Sequence, residues 1–332
     1  MHIKKISYPR AAVIGNPSDG FYGKTIAFPF SNFHVEAKLT ERQGILLSAA
    51  DAGVLSDLDA FYQDYLLLGV RSENTLVRAT IKKFIDYCKS ESIPLHKKGF
   101  EIEFESNIPR EVGLAGSSAI ITAVLRTLLE FYYVSIPIEL QANLVLEVET
   151  KEMGISAGLQ DRVVQAFGHP VYMDFDKYLM ERNGFGDYQV ISPDLFHNFY
   201  IAYRTEEAEG SEVVHNDLRS RFDGGEEKVL NVMTELSGLT ADFLSALKEE
   251  KEDNKLGEYM NRNFDLRQSI CKISKNNLEM IEIARSVGAS SKFTGSGGAI
   301  IGNYSSEEMY NQLEGSFNNK GIQLFKPSII SA

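Results

Sequence analysis

Residues 100–132 constrain the fold more than any other stretch. Phe100-Glu101-Ile102-Glu103-Phe104-Glu105 alternates apolar and acidic residues with period two, which predicts a half-buried strand with a solvated glutamate face. The chain then runs through Ile108-Pro109-Arg110-Glu111-Val112-Gly113-Leu114-Ala115-Gly116-Ser117-Ser118-Ala119 into residues 120–132. There Ile120, Ala123, Val124, Leu128 and Phe131 recur at helical spacing without Pro or Gly. Strand, glycine-rich turn and helix therefore follow one another. The first turn of a helix has unpaired N–H groups and a partial positive charge, and glycine lets the backbone approach an anion closely. Taken alone, the same Gly-Ser-Ser also reads as a helix N-cap, so the neighbouring segments must decide.

The 332 residues predict two domains with a sizeable core. The net charge of -12, with no basic cluster, argues against a nucleic-acid partner. Cys88 and Cys271 have no Cys or His at ligand spacing, which argues against a disulfide framework or a zinc site. No secretory signal pattern and no apolar run near eighteen residues is visible, so the expectation is a cytoplasmic protein without a membrane partner. The oligomeric state is left open.

Ahead of the Gly-rich turn, Ala11 to Gly15, Thr25 to Phe30, His34 to Leu39 and Gly44 to Ser48 read as strands, and Asn16-Pro17-Ser18-Asp19-Gly20 as a polar loop. Leu58 to Leu68 and Ser72 to Ser90 read as helices. Behind the turn, Ile138 to Thr150 reads as a helix ending with Glu147 and Glu149. The loop Met153 to Gly158 leads into a helix whose first turn carries Asp161, where the dipole favours an acid. Pro170 to Phe175 is a predicted strand, and the polar stretch Asp176 to Asp187 the predicted domain boundary, giving domains 1–185 and 186–332. In the second, Asn198 to Arg204 reads as a strand and Glu206 to Gly225 as a polar connection with a short helix. Helices are predicted over Lys228 to Lys248, Lys255 to Cys271 and Asn276 to Val287. Ser291 to Ile301 is a strand, a glycine cluster and a strand, followed by a helix over Ser305 to Gly315 and a strand over Ile322 to Ile329.

Four features occur in order: a strand and loop at Gly15 to Gly20, the Gly-Ser-Ser helix, the Asp161 helix, and the glycine cluster Thr294 to Gly298. Pro9 to Asp19, Pro109 to Ala119 and Lys292 to Gly298 resemble the three motifs of the GHMP kinase superfamily, with Ala115 standing where that family usually has glycine. Several runs resemble the glucuronokinase branch: Gly15 to Ile26, Asn107-Ile108-Pro109-Arg110, Gly158 to Val163, Asn263-Phe264-Asp265-Leu266-Arg267 and Lys292 to Ala299.

The resemblance implies an α+β, two-domain GHMP kinase fold, with an N-terminal domain like the second domain of ribosomal protein S5 and a C-terminal ferredoxin-like α/β sandwich. It also implies ATP-dependent phosphorylation of the anomeric hydroxyl of D-glucuronate, giving glucuronate 1-phosphate and ADP. Pro109, Gly113, Leu114, Ala115, Gly116, Ser117, Ser118 and Ala119 would hold the nucleotide phosphates, and Ser118 with Glu149 would hold Mg²⁺, a hard cation that takes oxygen ligands, with either serine of the 117–118 pair open as the ligand. Asp161 matches the family's catalytic aspartate and Arg10 the basic residue facing it. Asn16, Asp19 and Lys24 fall on the loop expected to bind sugar, with Gly295, Ser296 and Gly297 nearby. Arg110, Arg162, Arg267 and Lys292 are the candidate cations for a uronate carboxylate, with Arg267 favoured.

The P-loop NTPases are disfavoured because no lysine precedes the hydroxyls, and a Rossmann fingerprint is missing near the start. The rivals that stay open are a GHMP kinase for another small substrate (a galactose-like sugar, a heptose phosphate or mevalonate) and a sugar-sensing relative without turnover.

Overall fold

A computed structural model describes residues 1–47, 53–69, 74–204, 212–249 and 253–330. The predicted strand end at Ser48, the helix start at 72–73 and residues 206–211 of the polar connection lie outside the described residues. The strands, in chain order, are β1 (His2–Ser7), β2 (Arg10–Ile14), β3 (Lys24–Pro29), β4 (Val35–Arg42), β5 (Ile45–Leu47), β6 (Gly99–Ser106), β7 (Val171–Asp174), β8 (Asp187–Val190), β9 (Phe199–Tyr203), β10 (Lys292–Phe293), β11 (Ala299–Asn303) and β12 (Gln323–Phe325). The helices are α1 (Leu58–Leu68), α2 (Thr75–Ser90), α3 (Gly116–Phe131), α4 (Ile138–Glu147), α5 (Gln160–Phe167), α6 (Lys177–Asn183), α7 (Glu212–Asp223), α8 (Glu227–Lys248), α9 (Asp253–Ile270), α10 (Lys275–Ser286) and α11 (Glu307–Asn318). The expected α+β class is observed, and no helix among the described residues is long and apolar enough to cross a membrane.

The chain forms two compact units that are not consecutive in sequence. The first takes Met1–Tyr8, Phe33–Ile108 and Gly116–Ala157, the second Pro9–Asn32, Pro109–Ala115 and Gly158–Ala332. The expected boundary at 185/186 falls inside the second unit, because Asp176 to Asp187 is not a linker. Asp176 caps α6 by accepting from the Tyr178 and Leu179 N–H groups, Gly184 ends the helix in the left-handed conformation, and β8 then pairs with β7.

The first unit carries a sheet of order β1-β4-β6-β5. The alternation of β6 is realised as predicted: Phe100 and Ile102 are buried while Glu103 and Glu105 face solvent. α3 packs on β1 and β4 on one side and on α2 and α4 on the other. Apolar neighbours thus surround it, and Ile121, Ala123, Val124, Leu128 and Phe131 are all buried.

The second unit carries two antiparallel sheets, β2-β3-β7-β8 and β10-β11-β9-β12. Every residue of β2 is buried, since α5, α8 and α9 all pack on it, and the Ala12 N–H donates to the Thr294 carbonyl at 2.9 Å. Tyr200, Phe264, Ile281, Phe293 and Phe317 anchor the core beside the β9–β11 sheet. This buried backbone frame fixes where the polar residues at its strand ends point.

Candidate active site

In the second unit the site is built around Arg10 and Asp161. Arg10 opens β2 and is buried, so its donors need internal acceptors. Nε donates to Asp161 Oδ1, and Nη1 donates to the carbonyls of Gly113 and Thr294, each at 2.9 Å. Asp161 sits in the first turn of α5. Its second oxygen accepts from Arg162 Nη1 at 2.9 Å, and the same nitrogen donates to the Gly158 carbonyl at 2.8 Å. One acid is thus held from both sides by guanidinium groups that also bond main chain, which fixes its direction.

Residues 109–115 lie against the glycine cluster. Thr294 Oγ1 donates to the Gly113 carbonyl at 3.1 Å, and Gln165 Nε2 to the Ala115 carbonyl at 2.9 Å. Gly113 has φ +75, and a Cβ there would collide with the Gly297 carbonyl; one on Gly295 would come within 2.7 Å of Arg10 Nη2. The glycines are required because two backbones and a guanidinium share this space. Ala115, the departure from the family pattern, takes φ +61, a left-handed conformation that glycine adopts at less cost. Gly295, Ser296 and Gly297, expected near the sugar, are seen here in loop-to-loop packing.

Asn16 is buried. Its Nδ2 donates at 3.4 Å to the Phe293 and Gly295 carbonyls, while its Oδ1 is buried without a hydrogen-bond partner among the described residues. Asn263 fixes the loop from behind, accepting from the Gly15 N–H at 2.6 Å and donating to the Asn16 carbonyl at 3.0 Å. Asp19 packs its carboxyl on Gly158, where a Cβ would meet Asp19 Oδ2. Burial and the nearby negative charge of Asp161 push the Asp19 carboxyl up from 3.8 to about 7, against the opposing pull of Arg10, the Gln160 N–H and Arg162; Arg267 also faces it.

An acid raised in this way binds its proton more tightly folded than unfolded. The stability it contributes is full below about pH 4 and is lost as pH rises through about 7. Asp19→Asn is therefore expected to remove on the order of 2 kcal/mol of stability loss between these limits, after allowance for solvent screening. Urea midpoints of both proteins at the two ends of this range check it; parallel behaviour would count against the assignment.

Apart from Arg110, the remaining candidate cations are engaged internally. Arg267 is buried and donates to the carbonyls of Gly295 at 2.6 Å and Ser296 at 2.8 Å, with its guanidinium 4.9 Å from the Phe293 ring centre. Lys292 is fully buried, with Nζ donating to the Ala12 and Phe293 carbonyls at 2.7 and 2.8 Å, and burial holds its ammonium well below the ordinary range. Lys24 pairs with Asp174 at 3.0 Å, and Arg110 is exposed. The structure thus brings Arg10, Asn16, Asp19, Arg162 and Arg267 together around Asp161 and the glycine cluster, with Arg267 and Lys292 bracing backbone.

In the first unit, the helix predicted over Ile138 to Thr150 ends at Glu147 and continues as a π-helical turn over Val148–Glu152. Such turns are rare and recur at functional positions. The turn buries Glu149, and Ser117 Oγ donates to Glu149 Oε1 at 2.6 Å. Ion pairs to successive α2 lysines hold both ends: Lys83 with Glu147, and Lys82 with Glu152 at 2.7 Å. Ser118, the expected metal ligand, is buried next to Ser117 in the first turn of α3. The run Pro109 to Ala119 is divided, 109–115 belonging with the second unit and Gly116 onward with the first.

Comparison with known proteins identifies the family. The GHMP kinase N-terminal domain family matches residues 75–169. Probable glucuronokinase 2 of Arabidopsis thaliana is 41% identical over 307 residues, covering 89% of this chain and 82% of that protein. Glucuronokinase 1 of the same plant is 39% identical over 311 residues, covering 90% and 84%. Among solved structures, Lactococcus lactis galactokinase complexed with galactose superposes with a TM-score of 0.76 at 15% identity over 100% of this chain and 94% of that one. A mevalonate kinase superposes with a TM-score of 0.73 at 17% identity over 99% and 100%.

The chain belongs to the GHMP kinases and is an ATP-dependent small-molecule kinase. Within that superfamily it is a sugar kinase, similar to glucuronokinases at about 40% identity over most of its length.

Proposed function

We propose that the protein transfers the γ-phosphoryl group of ATP to the anomeric hydroxyl of D-glucuronate, giving glucuronate 1-phosphate and ADP. The observation that carries this reading is Asp161, held on both carboxylate oxygens by Arg10 and Arg162 beside the Asn16–Asp19 loop. The identity with the two plant glucuronokinases supports the choice of sugar.

Phosphoryl transfer asks a protein mainly for positioning and charge neutralisation. Asp161 accepts the proton of the attacking hydroxyl, and its two arginines keep the accepting oxygen aimed as charge moves. Asn16 Oδ1, buried and unpartnered among the described residues, is suited to accept a sugar hydroxyl, and Asp19 in its protonated form to donate to one. The unpaired N–H groups in the first turn of α3, from Gly116 to Ser118, are suited to the nucleotide phosphates.

The donor set near Glu149 fits Mg²⁺: a carboxylate and a serine hydroxyl are hard oxygens, and this ion uses one or two protein oxygens together with substrate phosphates rather than a dedicated cage. No cluster of three His, Cys, Asp or Glu suited to a metal occurs among the described residues, in keeping with that mode. We assign Glu149 with the Ser117 and Ser118 pair to the metal, whose chemistry when bound is to neutralise phosphate charge.

ADP release over glucuronate, galacturonate, glucose, galactose and mevalonate tests the proposal. The highest kcat/KM is expected for glucuronate, and a higher value for any neutral sugar or for mevalonate would overturn it.

A further inference from the structure

The cations expected to meet a uronate carboxylate are for the most part engaged by internal acceptors, so another cation must be sought on the substrate loop. Arg219, in the C-terminal half of α7, stands there. Its Nη2 donates to the carbonyl of Gly20, the residue after Asp19, and its guanidinium carbon lies 4.6 Å from the Phe21 ring centre. Behind it Phe21 packs on Phe222 at 4.9 Å, and Leu218 is buried in one cluster with Phe21, Val229 and Leu236. The helix is anchored to the loop on both sides of Arg219, so the guanidinium is held at a fixed place.

It is far more exposed than Arg162 and Arg267. Arg162 faces a carboxylate at 6% side-chain exposure, and Arg267 spends both terminal nitrogens on the Gly295 and Ser296 carbonyls. Arg219 is anchored by a neutral carbonyl and a ring, its side chain is 45% exposed, and its ion pair with Asp223 is long, 3.6 Å, to a side chain itself 61% exposed. Such a pair contributes little and yields readily to a better acceptor. A guanidinium fork offers two parallel donors matched to a carboxylate. In a chain of net charge -12, an anionic sugar also gains from a fixed cation at its loop.

We propose that Arg219 binds the carboxylate of the uronate substrate and sets the preference for the acid over its neutral analogue; this rests on the substrate reading above. The test compares kcat/KM for D-glucuronate and D-glucuronamide, an isosteric neutral probe, in wild type, Arg219→Gln and Arg219→Met. Gln keeps an N–H donor for the Gly20 carbonyl and removes the charge, whereas Met removes both. The acid-to-amide ratio is expected to fall about 10- to 100-fold in both variants, the range of a lost charge-assisted hydrogen bond. Because the ratio is taken within one variant, partial loss of folded protein does not move it.

A wild-type ratio retained in Arg219→Gln, or in Arg219→Met should the first variant not fold, would overturn the role of Arg219 and leave the substrate reading standing. Equal losses on acid and amide would identify a loop brace and overturn it too. A wild type with no preference for the acid would overturn the substrate reading and this inference together.

Discussion

Asp161→Asn is expected to lower turnover by on the order of 10² to 10⁴, the usual contribution of a positioned general base, while the protein stays folded. The argument is one of charge and lone pairs. The carboxylate offers one oxygen to Arg10 Nε and the other to Arg162 Nη1. An asparagine keeps a single oxygen, so one guanidinium then faces an NH₂ group, donor against donor. The amide cannot take a proton from an attacking hydroxyl, so the loss falls on kcat, with KM changed much less. The structural cost is smaller, roughly 1–3 kcal/mol for one buried donor left unpaired. Turnover at saturating substrate, measured by ADP release beside a circular dichroism melt, separates the two effects. A folded variant with near-normal turnover would remove Asp161 from the chemistry and leave positioning alone.

Much of this framework is legible in the sequence, because it follows from short-range periodicity. Leu58–Leu68 has the bounds its apolar spacing predicts, β6 follows its alternation, and the helix expected over 117–132 is seen over Gly116–Phe131. Asp176 and Gly184 are the cap signals of α6, but a seven-residue helix shows no clear apolar stripe, so the stretch reads as a polar loop. β1 is hidden by its two central lysines, and β8 by its exposure at a sheet edge. The site is less legible because its decisive contacts are long-range. Nothing near Arg267 foretells that its donors go to Gly295 and Ser296, and nothing around Arg219 marks it out from a polar connection. The choice between Ser117 and Ser118 turns on helix rotation, since neighbouring residues point about 100° apart. The sequence names both serines, and the structure turns Ser117 toward Glu149.

The largest stability effect is expected at Arg10. Its side chain is 4% exposed and bonds Asp161, Gly113 and Thr294 at once, joining β2 to α5, the Gly113 loop and the turn after β10. Arg10→Met fills a similar volume but leaves the Gly113 and Thr294 carbonyls without this donor and Asp161 without one of its guanidinium partners. Removing one partner of a buried ion pair costs roughly 3–5 kcal/mol, mostly through the charge left behind. Loss of that size is expected in the unfolding of the second unit, and turnover should fall as well, because the accepting oxygen of Asp161 is no longer aimed. Arg10→Lys distinguishes charge from geometry. An ammonium can restore the pairing with Asp161, but it lacks the planar fork that reaches a carboxylate and two carbonyls together, so its stability should lie between those of Met and wild type. The double variant Arg10→Met, Asp161→Asn supplies the coupling: with the orphaned charge also removed, it should be less destabilised than the sum of the single changes. Additive losses would show that Arg10 serves the two carbonyls and contributes nothing through the acid.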